Sequence, residues 1–428
     1  MVIWIPESTR TMYSHEVVVK QIAATVRDCL ARGQRFRINH GSTNSTRPAH
    51  NSQTVDISML NNVLEVNKDS QTAIVEPNVP MDKLVQATLA HGMIPPVVME
   101  FPGITVGGGF AGSAGESSSF RYGYFDQTVK SIEMVLATGE VLQASPSVNP
   151  DLFRGAAGTA GTLGIITKLE LALIPAKTFV RLEYHRFNSV PDTLAAVRDA
   201  TQGRKNDYVD GILFSPTLGV VMIGRLTNDI PSSARIETFS GPWDPWFYLH
   251  AKERATSHHL PSGPPTDHIP LPEYLFRYDG GAFWMGTQAF SYFPFIPFNR
   301  LTRWFLNDFM HTRMLYRALQ GSAASTGQMV QDLALPYHTA EAFIDYTAEW
   351  LGIWPLWLCP LRGTPRPTFH PSYCGEDGEG VPEPMINIGV WGARRPRMWT
   401  CSWSRTASWR GSDPVERTQG VVLADVLH

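Results

Sequence analysis

Apolar residues recur at helical spacing near the start of the chain: Val19, Ile22, Val26, Cys29 and Leu30, with Gly33 as a stop. A helix is predicted there, then a short strand over 35–39 and a polar loop, HGSTNSTRP. From Asp56 the period drops to two. Strands are predicted over 63–66 and 72–75, with Lys68, Asp69 and Ser70 as turn chemistry between them. Val79-Pro80-Met81 opens a second helix that Gly92 ends, and a hairpin follows over 131–137 and 141–144 around Thr138-Gly139. Alternation of Leu163, Ile165, Thr167, Leu169, Leu171 and Leu173 predicts a strand with both faces at least partly covered, ended by Pro175.

Beyond about 179 the composition turns aromatic, with prolines spread through 261–298. A second unit of mixed strands and helices is predicted over 179–392. The tail, 393–428, carries six arginines and three tryptophans, no lysine and no amphipathic period. It reads either as a flexible basic tail or, preferably, as a stretch out of frame after a sound strand over 385–391. In the second case that strand is expected to be an unsupported sheet edge.

At 428 residues the chain is too long for one core and implies two or three domains. A net charge of −3 gives no basic face for nucleic acid. Charged residues make up 18%, against about 25% in an average protein, and aromatics 11%. Such a balance suits an enzyme with an apolar lining. No apolar run approaches the ~18 residues of a membrane span, and MVIWIPESTR lacks a signal-peptide layout. Cys29, Cys359, Cys374 and Cys401 lie far apart, which points to a reducing compartment and no structural zinc. His258-His259 has no matching ligand set, so no metal is expected.

Gly107-Gly108-Gly109-Phe110-Ala111-Gly112 contains a literal GxGxxG. A Rossmann site needs a strand before it, a helix after it and an acid about 20 residues on. Pro102-Gly103 interrupts the lead-in, Glu116-Ser117-Ser118-Ser119 is a poor helix, and Asp126 comes too early. Three polar-glycine segments together say more: 40–47, 105–119 and 158–164. Small residues let backbone N–H groups reach a pyrophosphate. Each segment alone reads more readily as a tight loop, and it is the set of three that favours the pyrophosphate. Gly109 is expected at positive φ, where a valine would fail.

The order of RINHGSTNSTRP, DISMLNNVLEV, AIVEPNVPMDKLVQATLAHGMIPPV, PGITVGGGFAGSAGESSSFRYGYF and DLFRGAAGTAGTLGIIT resembles the vanillyl-alcohol-oxidase-type FAD-binding domain. PEYLFRYDGGAFW, MVQDLALP and WPLWLCP resemble the sterol Δ24-reductase branch of that superfamily. The resemblance implies an α+β fold: a PCMH-type FAD-binding domain over 1–178, in two subdomains of about 1–57 and 58–178, then a mixed substrate domain. It implies FAD contacts from Gly41, Ser42, Thr43 and Asn44. A long loop would wrap the pyrophosphate with Thr105, Val106, Gly107, Gly108, Gly109, Phe110, Ala111, Gly112, Ser113, Ala114, Gly115, Glu116 and Ser117. Gly161, Thr162, Gly164 and Ile165 would add to it. Relatives that hold flavin covalently use a histidine of the first loop; this chain has Ser42 there and His40 nearby, and non-covalent FAD is the reading. The branch further implies NADPH as reductant, a sterol substrate and the endoplasmic reticulum membrane. Its usual membrane-anchoring start is not seen here, which leaves peripheral contact or a cytoplasmic location open.

Reduction of an isolated alkene starts with an acid, because no carbonyl is present to receive a hydride. Asp332, in an apolar strand-like run, is the candidate donor if burial raises its pKa, and reads equally as a buried hydrogen-bonded aspartate. Tyr274 and Tyr278 are alternative donors. Arg277 is placed against a phosphate or the flavin ring, or paired with a carboxylate. Trp284, Trp354 and Trp357 would wall the sterol or the flavin, although core packing is the commoner use. Glu116 is given an orienting role. An FAD-linked alcohol or sugar oxidase and a non-catalytic flavin- or sterol-binding remnant remain the other readings.

Overall fold

The first helix, α1 (His15–Ala31), begins where the Ser14 side chain accepts the Val17 N–H, an N-cap that satisfies one orphan donor. The computed structural model describes residues 14–41, 53–203, 205–232, 234–257, 263–291, 295–321, 328–366, 368–375 and 380–393. Ser42, Thr43, Asn44, His258, His259 and 394–428 lie outside them. Val18, Ile22, Val26 and Cys29 of α1 are buried beside a parallel pair, β1 (Phe36–Asn39) and β2 (Gln53–Asp56).

An antiparallel five-stranded sheet follows. In chain order come β3 (Val63–Asn67), β4 (Thr72–Val75), helix α2 (Met81–Leu89), the two-residue β5 (Met93–Ile94), β6 (Val129–Leu136), β7 (Val141–Ala144) and β8 (Gly164–Ala172). The sheet order is β3-β4-β8-β6-β7. The chain does not leave at Pro175: β9 (Ile174–Pro175) pairs with β5.

The C-terminal region is a seven-stranded sheet in which every pair is antiparallel. Its strands are β10 (Phe179–Phe187), β11 (Tyr208–Ser215), β12 (Leu218–Thr227), β13 (Thr266–Pro270), β14 (Gln328–Pro336), β15 (Leu356–Leu361) and β16 (Met385–Ala393). The order β13-β10-β12-β11-β15-β16-β14 puts β16 inside the sheet. The expectation that it forms an unsupported edge is therefore corrected. Nine residues of β14 pair along it, and every residue from Met385 to Gly392 is buried. Among the described residues the edge on this side is β14, the strand that carries Asp332.

Because side chains alternate along a strand, the sheet has two unlike faces. Leu213, Val221, Leu358, Ile386 and Ile388 form one core with helices Val190–Ala200 and Tyr337–Tyr346. Tyr184, Ile212, Met222, Trp357 and Trp391 form another with Phe101, Phe110 and Phe125 of the N-terminal region.

Candidate functional site

The glycine-rich segment is a short helix, α3 (Val106–Ala111), capped by the Thr105 hydroxyl on the Gly108 N–H. The loop expected from its composition is thus helical at its centre, and the reason is contact. A Cβ on Gly107 would lie 2.7 Å from that of Pro77, and one on Gly109 would overlap Met99 and crowd Phe125. Gly109 has no positive φ; its need for glycine is steric, which corrects the expectation. Left-handed backbone occurs instead at Ser113 (φ 53°), Gly158 (72°), Ala160 (51°) and Gly161 (77°).

These segments meet. The Gly158 and Ala160 N–H groups donate to the carbonyls of Phe110 and Ala111, at 3.3 and 2.9 Å. A Cβ on Gly161 would press Ile38 at 3.2 Å, close to Gly41 (φ 67°). The Ser113 hydroxyl is buried with no partner among the described residues, and a Cβ on Gly158 would come within 2.6 Å of it. An orphaned donor in a cradle kept open by glycine fits an anionic cofactor group. Thr162 turns back through its N–H onto Thr159. A Cβ on Gly164 would strike the Val135 carbonyl. Val106, Phe110 and Ile165 send their side chains into the core. Gly112 donates its N–H to Gly108, and Ala114 to Gly109. Gly115 rests against Leu361.

The end of this loop reaches the seven-stranded sheet, where the Ser117 carbonyl accepts the Val209 N–H at 2.8 Å. A narrow cleft here is lined by Pro96, Glu116, Ser117, Tyr208, Tyr274 and Arg277. The Glu116 carboxylate accepts the Glu100 N–H at 3.2 Å. Burial pushes the Glu116 carboxyl well up, and the Glu100 charge adds to this against the pull of Arg277. Arg277 and Tyr278 are not free loop residues. Both donate to Oδ2 of Asp210, at 2.9 and 2.7 Å, and Trp357 adds a 3.3 Å bond. Asp210 is 0% exposed and its Oδ1 has no partner among the described residues. Burial alone would lower the guanidinium pKa, but Tyr274, Asp210 and Tyr278 more than offset it, so Arg277 stays charged. The guanidinium lies 4.1 Å from the Tyr274 ring centre.

Farther across the same face, Asp332 is partly buried. It accepts from Asn387 Nδ2 at 3.0 Å and from Trp391 Nε1 at 3.1 Å. Burial raises its pKa to about 7, against the lowering effect of those two donors. Around it stands an aromatic cage. Phe283 meets Trp391 edge-on at 4.4 Å and stacks on Tyr278 at 3.8 Å. Phe101 lies 6.1 Å from Tyr316 and 6.2 Å from Trp391. Trp284 donates its indole N–H to the Trp391 carbonyl. Ala282 and Phe283 both hold left-handed backbone (φ 45° and 58°), strain that the surrounding packing sustains. Trp354 is not part of this cage: it packs against the opposite face, because it precedes β15 on the side of Leu351 and Ile353.

Sequence reasoning missed Asp210, Glu100, Phe283, Tyr316, Asn387 and Trp391. Asp210 had a signal: a charge within YVDGILFS, a run otherwise fit for a buried strand.

Residues 18–145 match the family described as FAD binding domain. The chain is 30% identical to Delta(24)-sterol reductase of Arabidopsis thaliana over 78% of this chain and 60% of that protein. It is 28% identical to the human Delta(24)-sterol reductase, over 89% and 73% respectively. It thus spans about three fifths of the plant relative's length. Cytokinin dehydrogenase 4 of Oryza sativa subsp. japonica is 31% identical over 32% of this chain. Among the described residues no helix is long and apolar enough to cross a membrane. The glycine cradle lies inside the matched segment, and the similarity runs on through the sheet that holds Asp332; what the chain is similar to is the sterol Δ24-reductase branch of the FAD-binding oxidoreductase superfamily.

Proposed function

We propose that the chain reduces the isolated C24=C25 double bond of a sterol side chain, with FAD non-covalently bound and NADPH as reductant. Gly41, Ser42, Thr43 and Asn44, the loop from Thr105 to Ser117, and Gly161, Thr162 and Gly164 would hold the cofactor. When bound, FAD supplies the hydride equivalent that NADPH restores. His40, whose pKa burial lowers, is neutral near pH 7 and is not assigned a covalent link.

The observation that carries the reading is Asp332, a carboxyl with a pKa near 7 inside an aromatic cage. It would protonate C24 and leave positive charge on the tertiary C25. Faces of Phe283, Trp357 and Trp391 stabilise such charge and keep water out. Once deprotonated, the carboxylate is held by Asn387 and Trp391, one donor on each oxygen, which weakens it as a nucleophile toward the cation. Glu116 and Arg277 orient the cleft wall at the cofactor loop. The endoplasmic reticulum membrane, where such lipids dissolve, is the proposed place of action.

The test uses flavin-loaded protein, NADPH and a desmosterol-type sterol, with the saturated side chain as product. Asp332→Asn should keep its flavin and lose turnover by a factor of about 10²–10⁴. Unchanged turnover in that variant removes Asp332 from the mechanism. Flavin reduction by an alcohol with peroxide release, and none by NADPH, replaces the proposal with an oxidase.

A further inference from the structure

Between the aromatic cage and the surface, the chain displays side chains that folding ordinarily hides. Phe295 is 95% exposed and Phe305 77%, with Leu301, Trp304, Phe309 and Trp243 also exposed. The helix Arg300–Phe305 has no buried residue, although half of its six side chains are large and apolar. Exposed apolar clusters of this kind mark a binding surface.

The polar groups here specify the partner. Trp243 and Trp304 stack at 5.0 Å, which fixes both indoles at the rim. Arg300 lies over Trp243 and donates to its carbonyl. Arg303 sits between Trp246 and Phe298, at 5.7 and 5.6 Å, with Nε and Nη1 buried and unpartnered among the described residues. Among the described residues no carboxylate answers either arginine. Over 295–317 there are four arginines, of which Arg313 is paired with Asp82, and one acid, Asp308, on a chain whose net charge is −3. Projecting phenylalanines, rim tryptophans and unanswered guanidinium groups are the composition that lies in a bilayer interface, rings among the acyl chains and cations at phosphates. A second copy of this chain would instead need a recess for the fully projecting Phe295 ring.

We infer that the 295–309 surface, with Trp243, docks the protein onto a bilayer bearing anionic phospholipid headgroups. It deepens the proposed reaction by giving a lipophilic substrate its route. The helix after the patch, Thr312–Gly321, carries Tyr316 into the cage beside Phe101. Docking itself rests on no catalytic step.

The experiment is flotation of the flavin-loaded chain with vesicles of phosphatidylcholine, with and without phosphatidylserine. Retention is expected on the anionic vesicles, weakening as salt is added. Phe295→Ser with Phe305→Ser should weaken partitioning about tenfold or more, since each ring loses its burial in lipid. Arg300→Glu should abolish only the preference for phosphatidylserine. Quenching of indole fluorescence by brominated acyl chains should fall in Trp304→Phe. Flavin content checks that each variant is folded. Absence of retention on either vesicle, or retention unmoved by the double replacement, overturns the inference. So does a dimer in sedimentation that the same replacement dissolves. Docking with no sterol turnover would count against the reaction alone.

Discussion

On one face of the seven-stranded sheet, Leu213, Val221, Leu358 and Ile388 pack beneath two helices. One residue along, on the same strands, Asp210, Trp357, Asn387 and Asp332 face the N-terminal region. The strands and register are shared, so the difference lies in side chains alone. The first face gains stability from continuous apolar contact. The second gives some of that up, burying Asp210 with one oxygen unpartnered and Asp332 with no cation beside it among the described residues. The proposed chemistry sits where the apolar pattern is interrupted and the neighbours sustain the interruption.

The sharpest way to break the comparison is Asp332→Asn, where stability and activity should move in opposite directions. A raised carboxyl pKa means that the folded state binds more protons than the unfolded one between about 3.8 and 7. Stability is therefore lost as pH rises through that window, and the full cost stands above 7. The amide removes this cost. The variant should melt a few degrees higher above pH 7, and no higher below about pH 4, while turnover drops about 10²–10⁴-fold. In the parent, turnover should decline about tenfold per unit above pH 7 as the acid is lost. A lower melting temperature at pH 8 would mean that Asp332 is structural.

Asp210→Asn should show that buried charge on the same face can be structural. Arg277 and Tyr278 would lose their common acceptor, leaving a buried cation unanswered at a cost of about 3–5 kcal/mol. Denaturant unfolding measures it. Adding Arg277→Met should recover part of the loss, because the two replacements share one interaction. Full additivity would separate the pair.

On the apolar face, Ile388→Ala should cost about 2–5 kcal/mol through lost burial and a cavity beneath the helices. Flavin content and turnover per folded molecule should stay as they were. A change in turnover at equal flavin occupancy would show the two faces to be coupled.

Much of the fold was legible because local periodicity determined it: α1, the strands near 63–75 and the 131–144 hairpin all stand where alternation or helical spacing put them. Sheet order was not legible. The position of β16 between β15 and β14 depends on pairing across dozens of residues, and nothing within MINIGVW distinguishes an inner strand from an edge. The cradle showed as three glycine segments, but the reason for each glycine did not. Gly109 is governed by Met99, ten residues away, and left-handed backbone falls on Ser113 and Ala160, where composition gives no sign. Asp332 stood out as a lone charge, whereas Asn387 and Trp391 acquire meaning only from the register that brings them to it.

The smallest expected effect separates the site's pH response from that of the scaffold. His15, at the start of α1, bridges Glu76 and Glu133, each at 2.8 Å. Hydrogen bonds to Glu133 and then Glu76 raise its pKa from 6.5 to about 9. Burial alone would push the Glu133 carboxyl up, but His15, Thr167 and Lys168 bring it down to about 2. For His15 the stabilisation is complete below about pH 6.5 and fades as pH rises through 9; for Glu133 it is complete above about 4.5 and fades toward 2. His15→Gln should therefore lower stability by about 2 kcal/mol near pH 6 and by almost nothing near pH 10. Thermal melts across that range measure the difference. Turnover in the variant should still decline above pH 7, because Asp332 is untouched and lies in the other sheet. If the turnover decline vanished with the histidine, the alkaline limb would report loosening of α1, and the chemistry assigned to the polar face would have to be sought elsewhere.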